Sequence, residues 1–373
     1  MLAMNPTLLV GPSDWDAARM PREEFVARAT ALWRLAKAAS GAIVYGDRAH
    51  HTELAYLTGF TPKLEAALAL IPRVGAPRLL VGGGANMLQA AKPLTWIENL
   101  RPLRNASETV TQWAREQSGG GRPVLIGGAF MPPALRHEVD EAAGAIADKT
   151  SDLRSLMRRK SERELAVVRE ACATLDMAIA AMGNAQRSGK SATDTILAGE
   201  YAAHKRGAQD VRTLFSLDGG RTLRPFETLV DRAIDPLQVY VAVRQHGYWA
   251  EGFALLSATS TDRVVRPAEV LASAFAIIEP GRPCAEVAHA IAQGIGSLQP
   301  HPVTAHMQGN AMGLALEEQP LIATGSEDTF QAGDVFSLRV GVANEREGTI
   351  VSAMVAVGER GCDVLWPAPL SEQ

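Results

Sequence analysis

The residues able to carry chemistry are scattered through the 373-residue chain. Cys172, Cys284 and Cys362 are odd in number and far apart, so they form neither a disulfide framework nor a CxxC metal or redox motif. They read as small buried hydrophobes in a reducing compartment. His50 and His51 fall in a polar loop, His246 sits beside a Gly-Tyr turn, and His301 stands in a stiff turn between Pro300 and Pro302. Glu317 and Glu318 form an adjacent acidic pair. GGGAN at Gly82–Asn86 lacks both the GKS/T ending and the GxGxxG spacing of phosphate loops, and reads as a turn. Arg154, Arg158, Arg159 and Lys160 crowd a charge-dense segment, SDLRSLMRRKSERE, which reads as a linker with a solvated basic face. None of these segments builds a site by itself.

The elements that must position such residues follow from hydrophobic spacing. A helix is expected from Pro21 to Ala39, with Phe25, Ala29, Leu32 and Leu35 on one face. Short apolar runs at Gly41–Tyr45, Leu54–Leu57, Ala66–Ile71, Leu79–Val81 and Val124–Gly127, separated by turn residues, predict strands. A helix from Pro132 to Ala145 completes an α/β region ending near residue 150. Ser161 and Glu164 then match a capping box. The helix they open carries Leu165, Val168, Cys172, Leu175, Ile179 and Met182 at three-to-four spacing and ends at Gly183 and Asn184. Ser191 and Asp194 start another helix, with Ile196, Leu197 and Tyr201, which stops near Gly207. Strands LQVYVAV and ALLSAT flank RQHGYWAEG; helices at Ala268–Ile278 and Ala285–Ile295 follow, then strands at Val335–Val342 and Ile350–Val357. The second half thus reads helix, helix, strands, twice over.

Composition narrows the partners. The chain is 47% hydrophobic with Lys+Arg 37 against Asp+Glu 41, and its charges are interspersed, which argues against nucleic acid or an acidic membrane surface. The N-terminal MLAMNPTLLVGPSDWD has no basic stretch ahead of its short apolar run, which argues against a signal peptide. No apolar run approaches the roughly 18 residues that span a bilayer. A cytoplasmic protein is expected.

Taken together, the whole chain resembles the creatinase, aminopeptidase P and prolidase group. The resemblance rests on LAYLTGF at Leu54–Phe60, KSERELAVVREAC at the head of the capped helix, GYWAE at Gly247–Glu251 and EPGRPCAEV. It continues through GNAMGLALEEQP at Gly309–Pro320, AGDVFSLRVGV at Ala332–Val342 and TIVSAMVAVGERGCDVL at Thr349–Leu365. Their order and spacing carry it. The resemblance implies an α/β domain of the creatinase kind over residues 1–153. Over 154–373 it implies the α+β pita-bread domain shared with methionine aminopeptidase, with its pseudo-twofold helix-helix-strand duplication. By analogy it also implies a homodimer.

Peptidases of that group use two divalent metals, held by two Asp, one His and two Glu, to activate a bridging water. Carried over one position at a time, the first Asp falls on Tyr240, the second on Glu251, the His on Asn310, and the two Glu on Arg339 and Ser352. Auxiliary histidines fall on Phe226 and Glu317. One carboxylate of five survives. Clustered carboxylates favour a metal because a cation relieves their repulsion; Arg339 brings a permanent guanidinium instead. Neither a two-metal centre nor any other cofactor is expected. Creatinase, which cleaves a guanidino C–N bond without metal, relies on a His and glutamates whose counterparts here are Phe226, Arg339 and Ser352, so its chemistry does not transfer either.

The cavity the resemblance implies offers Tyr240, Glu251, Asn310, Glu317 and Arg339 as catalytic candidates. Ser352, His246, Arg244, His306 and Glu318 are its substrate-binding candidates. Such a set supplies carboxylate acid–base groups, a fixed cation for a developing oxyanion, and neutral donors. It suits a metal-independent enzyme hydrolysing, eliminating or cyclising a small amino-acid-like or amide substrate. Two alternatives stay open: a non-catalytic pseudopeptidase binding a peptide or protein partner, with Arg339 merely pairing with Glu251 or Glu317, and a divergent Xaa-Pro peptidase.

Overall fold

A computed structural model describes residues 14–117, 121–144, 146–259 and 262–367. Most of the N-terminal segment weighed against a signal peptide, residues 1–13, lies outside these. The chain divides into two units, Met1–Met157 and Arg158–Gln373. The boundary expected from the sequence lay after Leu153.

In the first unit the elements run α1 (Arg22–Leu35), β1 (Gly41–Gly46), α2 (Thr52–Thr58), β2 (Ala67–Pro72), β3 (Arg78–Val81) and α3 (Ala85–Ala91). They continue through β4 (Asn99–Pro102), α4 (Ala106–Glu116), β5 (Val124–Ile126), α5 (Pro133–Ala143), β6 (Ala147–Asp148) and α6 (Thr150–Arg158). The six strands form one mixed sheet in the order β4-β3-β2-β1-β5-β6. Residues of β1 and β2 are buried on both faces, which is why they read as unbroken apolar runs rather than alternating ones.

Three expectations fail in this unit. Leu54–Leu57 is helical, inside α2, not a strand; four apolar residues are too few to fix a period. Gly59, at φ 72°, closes the helix by donating its N–H to the carbonyl of Ala55. The presumed linker is the helix α6, whose Leu153 and Met157, four residues apart, are buried. On α1, Phe25 and Leu32 are buried as expected, whereas Leu35 is 47% exposed.

The second unit opens on α7 (Glu162–Arg187) and α8 (Ala192–Lys205), then β7 (Asp210–Phe215), β8 (Leu237–Gln245) and β9 (Tyr248–Leu256). The pattern repeats with α9 (Val265–Phe275), α10 (Cys284–Ile295), β10 (Gly309–Ala311), β11 (Glu318–Ile322), β12 (Val335–Ala343), β13 (Gly348–Val357) and β14 (Cys362–Trp366). The Ser161–Glu164 capping box forms, with both reciprocal hydrogen bonds present. The helix runs past Gly183 to Arg187, because a helix-interior glycine costs only about 1 kcal/mol. On α8, Ile196 is buried while Leu197 and Tyr201 are exposed. Half of the basic cluster before α7 is solvated as expected, with Arg154 and Arg159 exposed, but the other two residues are not. Arg158 pairs with Asp334 at 2.8 Å, and Lys160, 6% exposed, pairs with Glu318 at 2.9 Å.

The strands form two sheets, β7-β8-β9 and β11-β10-β12-β13-β14. Phe253 of β9 donates its N–H to Oγ of Ser352 on β13 at 2.7 Å, which ties the sheets together. Beneath the larger sheet, α9 and α10 bury Leu271, Val287 and Ile291 against Phe336, Leu338 and Val355. No helix among the described residues is long and apolar enough to cross a membrane.

Candidate functional site

The site is built on the β8–β9 hairpin. From the sequence its centre, RQHGYWAEG, is a break between strands; in the structure both strands run into it and only His246 and Gly247 turn. Both have positive φ, 45° and 88°, as the two central residues of a tight hairpin turn with the right twist must. Gln245 therefore pairs with Tyr248, and the register carries Ala242 opposite Glu251 and Tyr240 opposite Phe253. Opposed residues share a face and alternate residues repeat it, so Tyr240 and Glu251 project to the same side.

From the other sheet, Asn310 on β10 lies opposite Ser337 on β12, and Arg339, two residues on, lies opposite Ser352 on β13. The result is a continuous chain of polar contacts. Tyr240 donates its hydroxyl to Oε2 of Glu251 at 2.6 Å. Nη1 of Arg339 stands 3.7 Å from Oε1 of Glu251, and Nη2 donates to Oδ1 of Asn310 at 2.5 Å. Asn310 in turn donates Nδ2 to the carbonyls of Ala311 and Leu316. All of these side chains are buried: Glu251 is 3% exposed and Arg339 7%. Burial, reinforced by the neighbouring carboxylate, pushes the Tyr240 phenol far up, so it stays protonated as a donor.

Three buried polar atoms on this face have no hydrogen-bond partner: Nε of Arg339, Oε1 of Glu251 and Oγ of Ser337. An unmet buried polar group costs about 1–3 kcal/mol, so these three atoms are the places on this face where a small polar molecule gains most by binding.

The remaining sequence candidates lie apart from it. Glu317 is exposed and does not join the network; its neighbour Glu318 turns inward to Lys160 and accepts the N–H of Ala315. His306 is exposed. Hairpin residue His246 is half-buried, 3.8 Å from Glu170. Arg244 is buried and donates Nε to the carbonyl of Gly247; burial draws it down to about 10, against the pull of Asp210. It buttresses the turn. His301 is fully buried, with Nε2 at 2.9 Å from the Gly220 carbonyl and Nδ1 accepting the N–H of Val303, so it is a neutral strut. Phe226 packs on Phe215. Burial raises all three cysteine thiols, Cys172 and Cys284 to about 12.

Two residues of the site face were not foreseen. Ser337 is one. The other is Arg212 on β7, opposite Ala242 and therefore in one row with Glu251, its guanidinium 4.6 Å from the Trp249 ring centroid. Ser337 could have been found by extending the alternation of β12 two residues from Arg339, whereas β7 carries no candidate that leads to Arg212.

The two-metal centre implied by the resemblance does not fit these donors. One of five positions is a carboxylate, and a guanidinium stands 3.7 Å from it, where a dication would be repelled. Among the described residues no group of three or more His, Cys, Asp or Glu side chains is arranged to hold a metal ion.

The fold itself has many solved counterparts. An X-Pro aminopeptidase from Thermotoga maritima superposes with a TM-score of 0.72 at 17% identity, covering 90% of this chain and 98% of that one. A prolidase from Pyrococcus horikoshii gives 0.71 at 16%, covering 92% and 97%. Dipeptidase PepE from Mycobacterium ulcerans gives 0.70 at 20%, covering 96% and 98%. No curated protein matches by sequence. The model of metallopeptidase family M24 matches residues 166–359, just over half of the chain, and takes in every position of the polar network. With the pita-bread architecture on which that network is built, this match makes the chain a member of metallopeptidase family M24.

Proposed function

We propose that the chain is a metal-independent enzyme acting on a small amino-acid-like or amide substrate with the acid–base groups of the Tyr240–Glu251–Arg339–Asn310 network. The observation that carries this reading is a buried ion pair in which two atoms, Nε of Arg339 and Oε1 of Glu251, make no hydrogen bond to protein, with Nη1 of the same guanidinium 3.7 Å from Oε1. One is a donor and the other an acceptor, and an amide substrate with an attacking water supplies a partner for each.

In C–N hydrolysis the guanidinium of Arg339 holds the substrate carbonyl and stabilises the oxyanion that develops on it. Glu251 takes a proton from the attacking water as its oxygen bonds to the carbonyl carbon. It returns that proton to the nitrogen as the C–N bond breaks. Tyr240, donating to Oε2, keeps Glu251 oriented and leaves Oε1 for the proton transfer. Elimination or cyclisation draws on the same pair of groups.

The test is a mass-spectrometric substrate screen on the purified protein. Once turnover is found, Glu251→Gln and Arg339→Met are each expected to lower kcat by roughly 10²–10⁴-fold. Unchanged rates in both variants would displace the site.

One observation favours a second, non-catalytic reading. Asn310 spends both its oxygen and its nitrogen on protein partners, so part of the network is internal structure. A pseudopeptidase would bind compounds from the screen without changing their mass. The names of the structural neighbours suggest a third reading, a divergent Xaa-Pro peptidase, and that reading requires bound metal. The homodimer suggested by analogy is checked by light scattering.

A further inference from the structure

We propose that Arg212 is a specificity-determining residue that grips a carboxylate on the substrate, so that the site takes small anionic molecules in preference to neutral ones. The inference rests on the proposed site and deepens it. Arg212 lies on β7, opposite Ala242 of β8, which lies opposite Glu251 of β9. The three occupy one row across the sheet, so Arg212 and Glu251 are two strand spacings apart, about 10 Å between backbones. A molecule the size of an amino-acid derivative bridges that gap with an amide at one end and a carboxylate at the other.

Arg212 is equipped for such a contact. Its side chain is 57% exposed, and its guanidinium rests on the face of Trp249, 4.6 Å from the ring centroid. That seat orients a planar, bidentate donor without consuming its hydrogen bonds. Its carboxylate neighbour Asp210 stands 3.5 Å away but also lies opposite Arg244, so one carboxylate faces two guanidinium groups. The charge of Arg212 reaches the site itself, opposing the upward push on the Tyr240 phenol. On the far side of Glu251, Arg339 keeps a buried donor unspent. Two cations thus bracket one acid–base group: the buried one meets the reacting carbonyl, and the exposed one takes the anionic end.

The experiment is calorimetric binding of N-acetylated amino acids and their matched C-terminal methylamides to the full chain, its Arg212→Met and its Arg212→Lys variants. The native protein is expected to bind the free carboxylates roughly tenfold or more tightly than the methylamides, the worth of a charge-assisted hydrogen bond. Arg212→Met should bring the ratio to about one, and Arg212→Lys, which keeps the charge but loses the stacked fork, should fall between. A native ratio near one, binding of neither series, or a ratio that survives Arg212→Met overturns the inference. Carboxylate selectivity lost in Arg212→Met, together with a substrate screen that yields no product, would instead sink the enzymatic reading and leave the Arg212 assignment standing.

Discussion

Arg339 and Asn310 are joined by a 2.5 Å hydrogen bond from Nη2 to the side-chain carbonyl, while Nη1 of the same guanidinium faces Glu251 at 3.7 Å. One planar cation thus touches two of the positions where the resemblance expects metal ligands. A guanidinium fixes geometry through its own covalent plane, so a cation already faces Glu251 between β9 and β12.

Because Glu251 and Arg339 are buried, removing either leaves the other uncompensated. Arg339→Met is expected to cost about 3 kcal/mol of unfolding free energy, and Glu251→Gln, which retains the Tyr240 hydrogen bond, somewhat less. The double variant should lose less than the sum of the two, by about 1–3 kcal/mol. Urea denaturation of the four proteins measures this coupling, and strict additivity would mean the two groups do not interact.

His301 predicts a pH dependence. Burial holds its imidazole pKa below the usual value of about 6.5, against the opposing pull of the Gly220 carbonyl and the Asp218 carboxylate. The unfolded chain therefore binds a proton more readily than the folded one. This contribution to stability is fully present above about pH 6.5 and is lost as pH falls below it toward the depressed folded value. His301→Asn should show a shallower loss of stability between pH 7 and pH 5 than the native protein. Parallel curves would rule out His301 as the titrating group.

Gly252, between Glu251 and Phe253, lies under the Trp366 indole; a Cβ there would sit 2.4 Å from the ring. Gly252→Ala is expected to destabilise the second unit by about 1–3 kcal/mol, the usual cost of overpacking, and to displace Trp366. Thermal unfolding together with tryptophan fluorescence checks both. An unshifted Tm would show that Trp366 does not pack on this strand.

Much of this was legible in the sequence. The capping box at Ser161 and Glu164 fixed the start of α7 because two reciprocal side-chain bonds leave a spacing of three that can be read directly. Tyr240, Glu251, Asn310 and Arg339 were reached through the resemblance, which carries ligand positions onto them, and the register then explains how they share a face. Less was legible where contacts are long-range. Lys160 reads as a solvated lysine, yet Glu318 lies 158 residues away in the chain and buries with it. Choosing between Glu317 and Glu318 needed the register of β11, which a bulge between Asn310 and Ala311 shifts. Arg212 escaped notice because its role depends on Trp249, two strands distant in the sheet. The helical state of Leu54–Leu57 was hidden by a run too short to show a period.

In this member of metallopeptidase family M24 the Arg339 guanidinium stands where the resemblance expects a metal ligand. Inductively coupled plasma mass spectrometry of the full chain, purified without chelator and equilibrated with excess Mn²⁺, Co²⁺ or Zn²⁺ before desalting, tests it most directly. The expected result is well below one ion per chain and a Tm that none of the three ions shifts. About two ions per chain, with a raised Tm, would contradict it.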